Sequence, residues 1–185
     1  MTEEERWLTC TDPEPMRQFI CNRTSERKRL LYVAAWFRCG THRIWDRRSW
    51  EAVEVAEQYA DGLASDGDFD RAGSGTLMMK AIPIFMGYHY RTFHTQYALL
   101  LRDVVGNPFH PVTLDPAWRT PVIRALATAA YEDRSLPSGV LDPDRLAVLS
   151  DALEDAGCDN AEILSHLRGP WPHVRGCWAL DLLLG

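Results

Sequence analysis

Apolar residues recur at intervals of three and four along most of the chain, the period of a helix that buries one face. In SERKRLLYVAAWFRC, residues 25 to 39, Ser25 stands as an N-cap and every position from Leu30 to Phe37 is apolar. A helix greasy on all sides is a central one, covered by others. SWEAVEVAEQYADG, residues 49 to 62, sets Trp50, Val53, Ala60 and then Leu63 on one stripe, with Glu51, Glu54, Glu57 and Asp61 mostly off it. Tyr90, Phe93, Tyr97, Leu101 and Val104 keep helical spacing up to Gly106, a natural stop. After Pro143, Leu146, Leu149, Leu153 and Ala156 form a buried face, Gly157 ends the helix, and Asp159 with Glu162 reads as a capping box for NAEILSHLRG. These two helices make a hairpin. The tail HVRGCWALDLLLG carries Val174, Cys177, Trp178 and Leu182 at helical spacing, although Gly176 weakens that helix, and so greasy a segment must either dock or serve as a partner surface. TLMMKAIP, residues 76 to 83, fits a short helix or a strand.

Helix entrances are written in a repeated local signal. Asp12-Pro13, Asp115-Pro116, Thr120-Pro121 and Asp142-Pro143 each join a side-chain cap to a proline, which at the first helical position gives up no hydrogen bond. GNPFHPVTLDPAW, residues 106 to 118, therefore lies between a helix stop and two entrances. It is expected to be a connector, spanning 106 to 120, whose Phe109, Val112, Leu114 and Trp118 fold back onto the core. Proline has no N–H to strand there. The expectation is one all-α domain over residues 1 to 185, of six to eight helices, arranged as an irregular bundle or an array of helical hairpins.

Composition adds bounds. With 185 residues, 46% hydrophobic and 25% charged, the chain suits one compact globular domain. No apolar run approaches the ~20 residues that span a bilayer, and the acidic start MTEEERW is unlike a signal peptide, so the chain reads as cytoplasmic, with no membrane partner. Five scattered cysteines without a C-x-x-C pair suggest reduced thiols. The net charge of −6 hides an asymmetry: residues 17 to 48 hold nine Arg or Lys against Glu26 and Asp46, while residues 51 to 70 hold seven acids and no base. Two neighbouring helices of opposite sign are expected to face each other or solvent. A basic patch for phosphate is the sharper alternative.

Several pieces taken together resemble a family of bacterial proteins of unknown function that occurs as large paralogue sets in planctomycetes. They are Trp7-Leu8 with Cys10, Asp12-Pro13 and Met16; Arg43-Ile44-Trp45; AVEVAEQYADG; GNPFHPVTLDPAW; LSDALEDAGCDNAEILSHLRG; and HVRGCWALDLLLG. Residues 66 to 99 lie outside the likeness. The resemblance implies no catalytic residues. Two departures stand out: Gly40-Thr41-His42 replaces a pair of adjacent cysteines before the Arg-Ile-Trp, and His110 stands where the family has arginine.

For chemistry, Cys39-x-x-His42 and His173-x-x-x-Cys177 are donor pairs at spacings zinc accepts, the second pair sharing one face of a helix. DGDFD places Asp66, Asp68 and Asp70 at the first, third and fifth places of a calcium loop, but Arg71 and Leu77 occupy the glycine and glutamate places, so a solvated acidic turn is expected. GSGT, residues 73 to 76, reads as a flexible turn, and no G-x-S-x-G, P-loop or H-E-x-x-H is present. His89 and His94 with Tyr88, Tyr90 and Tyr97 form the remaining titratable cluster, with His94 on an apolar face. The functional expectation is a non-catalytic adaptor that binds another protein through Arg27, Arg43, Arg47, Arg48, Trp45 and Trp171, residue types enriched at binding hot spots. The alternative is a zinc-binding regulatory protein or metal-dependent enzyme built on Cys39, His42, His173 and Cys177. A third reading is nucleic-acid binding through Arg23, Arg27, Lys28, Arg29, Arg43, Arg47 and Arg48.

Overall fold

The computed structural model describes residues 1–20, 23–39, 46–76, 94–170 and 172–185. Among them run α1 (Glu3–Thr9), α2 (Pro13–Ile20), α3 (Glu26–Cys39), α4 (Arg47–Ala60), α5 (Asp66–Arg71), α6 (His94–Val105), a 3-10 turn (Pro116–Trp118), α7 (Pro121–Glu132), β1 (Arg134–Ser135), β2 (Val140–Leu141), α8 (Pro143–Asp155), α9 (Ala161–Leu167) and α10 (Trp178–Leu184). The chain is mostly helical, as expected, but has more than six to eight helices. Four of the α-helices, α1, α5, α9 and α10, are six or seven residues long. Fewer than two full turns display too little of the 3.6-residue period to be counted from apolar spacing. Contacts gather into two compact units, Thr9–Leu101 and Met1–Leu8 with Arg102–Gly185.

In Thr9–Leu101, α3 packs along α4. Leu31, Tyr32, Ala34, Ala35, Trp36 and Phe37 are all buried, as a central helix requires. Trp36 meets the rings of Phe37 and Tyr97 at 5.1 and 5.4 Å. The buried face of α4 is Ala52, Val53, Ala56 and Glu57; of the expected stripe Val53 is buried, Trp50 and Ala60 are half-buried, and Leu63 is 68% exposed. Two alanines let α3 approach closely, and Arg38 draws Glu57 inward. The basic and acidic blocks do face each other: Arg38 grips Glu57, and Arg27 pairs with Asp61 at 2.7 Å. DGDFD is a helix, not a turn, because Ser65 and Asp68 cap each other's backbone N–H groups. GSGT is not a free turn: residues 74 to 76 are helical, and Ser74 is buried and donates to the carbonyl of Ala52 at 2.8 Å. The segment of uncertain type from 77 to 83, and Tyr88, His89, Tyr90 and Phe93, lie outside the described residues.

The other unit packs α7, α8, α9 and α10 around Ile123, Leu146, Leu149, Leu153, Ile163 and Leu180. Its entrances are the expected ones. Thr120 and Asp142 cap α7 and α8 with prolines behind them, whereas Asp115-Pro116 opens only a 3-10 turn. The cap of α9 is Asn160, one residue later than expected; its side chain accepts from the N–H groups of Glu162 and Ile163. The proline-rich connector is a strap: Leu114 is buried, and Val112 and Trp118 pack on the core. The tail is docked, with Cys177, Ala179, Leu180 and Leu183 fully buried. Its helix, however, begins only at Trp178. Residues 173 to 177 form a β-bridge and a turn instead: Val174 bridges Val140, and the Cys177 N–H donates to the Val174 carbonyl across Gly176, whose φ is +88°. The short β1–β2 hairpin, absent from an all-helical expectation, supplies the edge to which this segment binds. Among the described residues no helix is long and apolar enough to cross a membrane, and Cys10, Cys39, Cys158 and Cys177 are free thiols.

Candidate metal centre

Three segments of the second unit bring Asp103, His166, and His173 with Cys177 together, their donor atoms all within 4.8 Å of one another. Asp103 lies near the end of α6, whose apolar residues turn inward and carry it with them to full burial. His166 sits in the last turn of α9. His173 is held by its own backbone, whose carbonyl accepts from the Leu141 N–H at 2.8 Å. Cys177 occupies the N-cap position of α10 without closing a side-chain capping bond. His173 and Cys177 thus do not share a helix face; a glycine turn brings them together.

One oxygen of Asp103, Oδ1, lies 2.7 Å from His173 Nδ1 and 3.1 Å from His166 Nε2. That same His166 nitrogen lies 3.2 Å from the sulfur of Cys177, which is 3.9 Å from His173 Nδ1. The other Asp103 oxygen accepts the Val174 N–H at 2.9 Å, fixing the carboxylate. A nucleophile relay would use opposite nitrogens of one imidazole, one toward the thiol and one toward the acid. Here a single nitrogen of His166 faces both. Four donor atoms this close could hold a cation; zinc bonds of about 2.0 to 2.3 Å put tetrahedral ligand atoms roughly 3.3 to 3.8 Å apart, so Asp103 Oδ1 and His173 Nδ1, at 2.7 Å, would have to separate.

The electrostatics of the cluster follow from its burial and its hydrogen bonds. Burial pushes the Asp103 carboxyl up, but hydrogen bonds from His166 and His173 outweigh it and leave the pKa at about 2. The Cys177 thiol is driven well above its ordinary value, first by burial and then by the Asp103 charge, with the Leu180 and Ala179 amides pulling back weakly. A thiol so raised is a poor nucleophile, and Cys177 has no exposed surface. A divalent cation reverses that, since coordination deprotonates a thiol outright. One carboxylate, one thiolate and two neutral imidazoles around a 2+ ion sum to zero, the form of charge that is least costly to bury. His173 Nε2 is buried with no hydrogen-bond partner among the described residues. His166, with 13% of its side chain exposed, is the one of the four open to solvent, and Trp178 lies against its ring at 4.8 Å.

Of the expected zinc residues, His173 and Cys177 meet here. Cys39 ends α3 in the other unit, and His42 lies outside the described residues. Asp103 and His166 were not anticipated. The signal available for them was an acid inside the apolar run LLLRDVV and the spacing of His166, His173 and Cys177 within twelve positions. Among the expected partner-binding residues, Arg27 pairs with Asp61 and Arg47 with Glu51 at 2.8 Å, while Arg48 is exposed. Arg43, Trp45 and Trp171 lie outside the described residues. In the basic segment Arg23 stacks on Phe19, with the guanidinium 4.1 Å from the ring centroid. No family model matches the chain, and neither a curated protein nor a solved structure does.

Proposed function

We propose that the protein binds zinc, through Asp103, His166, His173 and Cys177, as a regulatory or structural centre without a catalytic step. The observation that carries this reading is the shared use of atoms: one Asp103 oxygen faces both imidazoles, and one His166 nitrogen faces both oxygen and sulfur. The donor set selects among metals. A thiolate disfavours magnesium, calcium and manganese, and mixed S, N and O donors in four-fold number suit zinc. Four protein ligands leave no open position for a substrate, which favours a closed centre over an enzyme.

The test is zinc stoichiometry and affinity of the chelator-stripped full chain, by competition with a chromogenic chelator. One zinc per chain is expected, with cobalt producing the sulfur-to-metal absorption of a single thiolate. Cys177→Ser should abolish that absorption and His166→Ala should weaken zinc at least tenfold, in the range expected when a metal-site contact is lost. Absence of stoichiometric zinc, or equal binding by both variants, would overturn the reading.

A further inference from the structure

This inference rests on the zinc reading and concerns what a bound ion governs. The residues around and just beyond Asp103 hold α1. The Arg102 guanidinium donates from Nε and Nη2 to the Trp7 carbonyl at 3.0 and 2.5 Å, and the Trp7 indole N–H donates to the Gly106 carbonyl at 3.2 Å. Further along, Asn107 Nδ2 donates to one oxygen of Glu4 at 2.8 Å, and His110 Nε2 lies 3.0 Å from the other. Trp7 is 3% exposed, so α1 is docked on this strap. A seven-residue helix is too short to persist in water by itself. Its order depends on the latch.

The latch and the metal ligands share one turn of backbone. Asp103 points from that turn into the centre, while Arg102 and Gly106, its neighbours, clasp Trp7. A second link runs through the other ligand helix. Gly106, at φ +75°, packs so closely on Trp178 that a Cβ there would sit 3.1 Å from the indole, and Trp178 in turn lies on the His166 ring. Anything that fixes Asp103 and His166 together restrains the segment Arg102–Gly106 from two sides.

We propose that zinc occupancy at Asp103, His166, His173 and Cys177 controls how firmly α1 is held, through the Arg102–Gly106 turn and Trp178. The bound ion replaces three separate hydrogen bonds by one rigid centre, and α1 opens less often. Coupling between two binding events is reciprocal, so a docked α1 must also raise zinc affinity.

The reciprocity supplies the experiment. Hydrogen exchange of residues 3 to 9 in the full chain is compared with zinc and with chelator, using Pro121–Glu132 as the measure of general stabilisation in the same unit. Exchange in α1 should slow about tenfold more than in that reference helix, within the range of ordinary allosteric couplings. Zinc affinity is then measured for Glu4→Ala and Trp7→Phe, neither of them a ligand, with about a fivefold loss expected in each. Glu4→Ala is a surface change and keeps the test sound if Trp7→Phe folds poorly. A parent chain that binds zinc while α1 gains no more protection than Pro121–Glu132, and Glu4→Ala with unchanged affinity, overturns this inference and leaves the zinc reading standing. A parent chain that binds no zinc overturns both.

Discussion

Each unit of the protein buries a charged cluster, and the two are built on opposite plans. In Thr9–Leu101, Arg38 sets Nε and Nη2 against the two oxygens of Glu57 at 2.6 and 2.8 Å, with 5% and 2% of the side chains exposed. The two charges cancel. In the other unit, Asp103 Oδ1 serves two imidazoles, His166 Nε2 serves an oxygen and a sulfur, and His173 Nε2 has no partner among the described residues. Burial of charge is therefore not what distinguishes a candidate site: the Arg–Glu pair holds helices in register, whereas Asp, His and Cys donor atoms gathered within 4.8 Å of one another could hold a cation.

The comparison can be broken most severely at the Arg–Glu pair. Glu57→Leu strands the Arg38 charge in the core of α3 and α4 and should cost about 3 to 5 kcal/mol, whereas Arg38→Met with Glu57→Leu should recover most of it. Denaturant unfolding checks this, and the loss should be the same with zinc or chelator. A zinc-dependent loss would mean the two clusters are not independent. The centre should behave in the reverse sense. Zinc at a hundredfold excess over Kd should add about 2.7 kcal/mol of apparent stability by mass action, measured as a shift in the unfolding midpoint. Chelator should remove that increment, and His166→Ala should cut it by about half or more. If chelator leaves the midpoint unmoved, the cluster is a hydrogen-bonded core network and nothing more.

What was legible in the sequence followed from how local its cause is. Thr120-Pro121 and Asp142-Pro143 announced α7 and α8 because a cap and a proline act within four residues. The strap from Gly106 to Trp118 was legible for the same reason. Glu57 was not: on α4 it reads as one more exposed acid, and only Arg38, nineteen positions earlier, brings it inside. The candidate centre was half legible. His173 and Cys177 stood out as a spaced pair, but the geometry that joins them is a glycine turn and a bridge to Val140, and no helical period encodes either. Asp103 passes for the partner of its neighbour Arg102 until folding sends the two side chains to different tasks. His166 sits beside the buried positions Ile163, Leu164 and Leu167, and spacing alone does not say which edge of that face meets the tail.

The smallest effect sharpens how His166 is held. α9 has seven residues, and its first free N–H groups, those of Glu162 and Ile163, are both taken by the Asn160 side chain at 3.0 and 3.1 Å. Asn160→Ala should cost about 1 kcal/mol, while Asn160→Asp should cost little, because either side-chain oxygen can accept the same bonds. Asn160 touches no ligand, so it can influence zinc only through fraying of the helix that presents His166. Buried Ile163 and Leu167 pin that helix from within. Zinc affinity should therefore fall only two- to threefold in Asn160→Ala, roughly the fraction by which a helix weakened by about 1 kcal/mol opens when packing resists it. A fall as large as that of His166→Ala would show that capping, and not the packing of Ile163 and Leu167, places the imidazole.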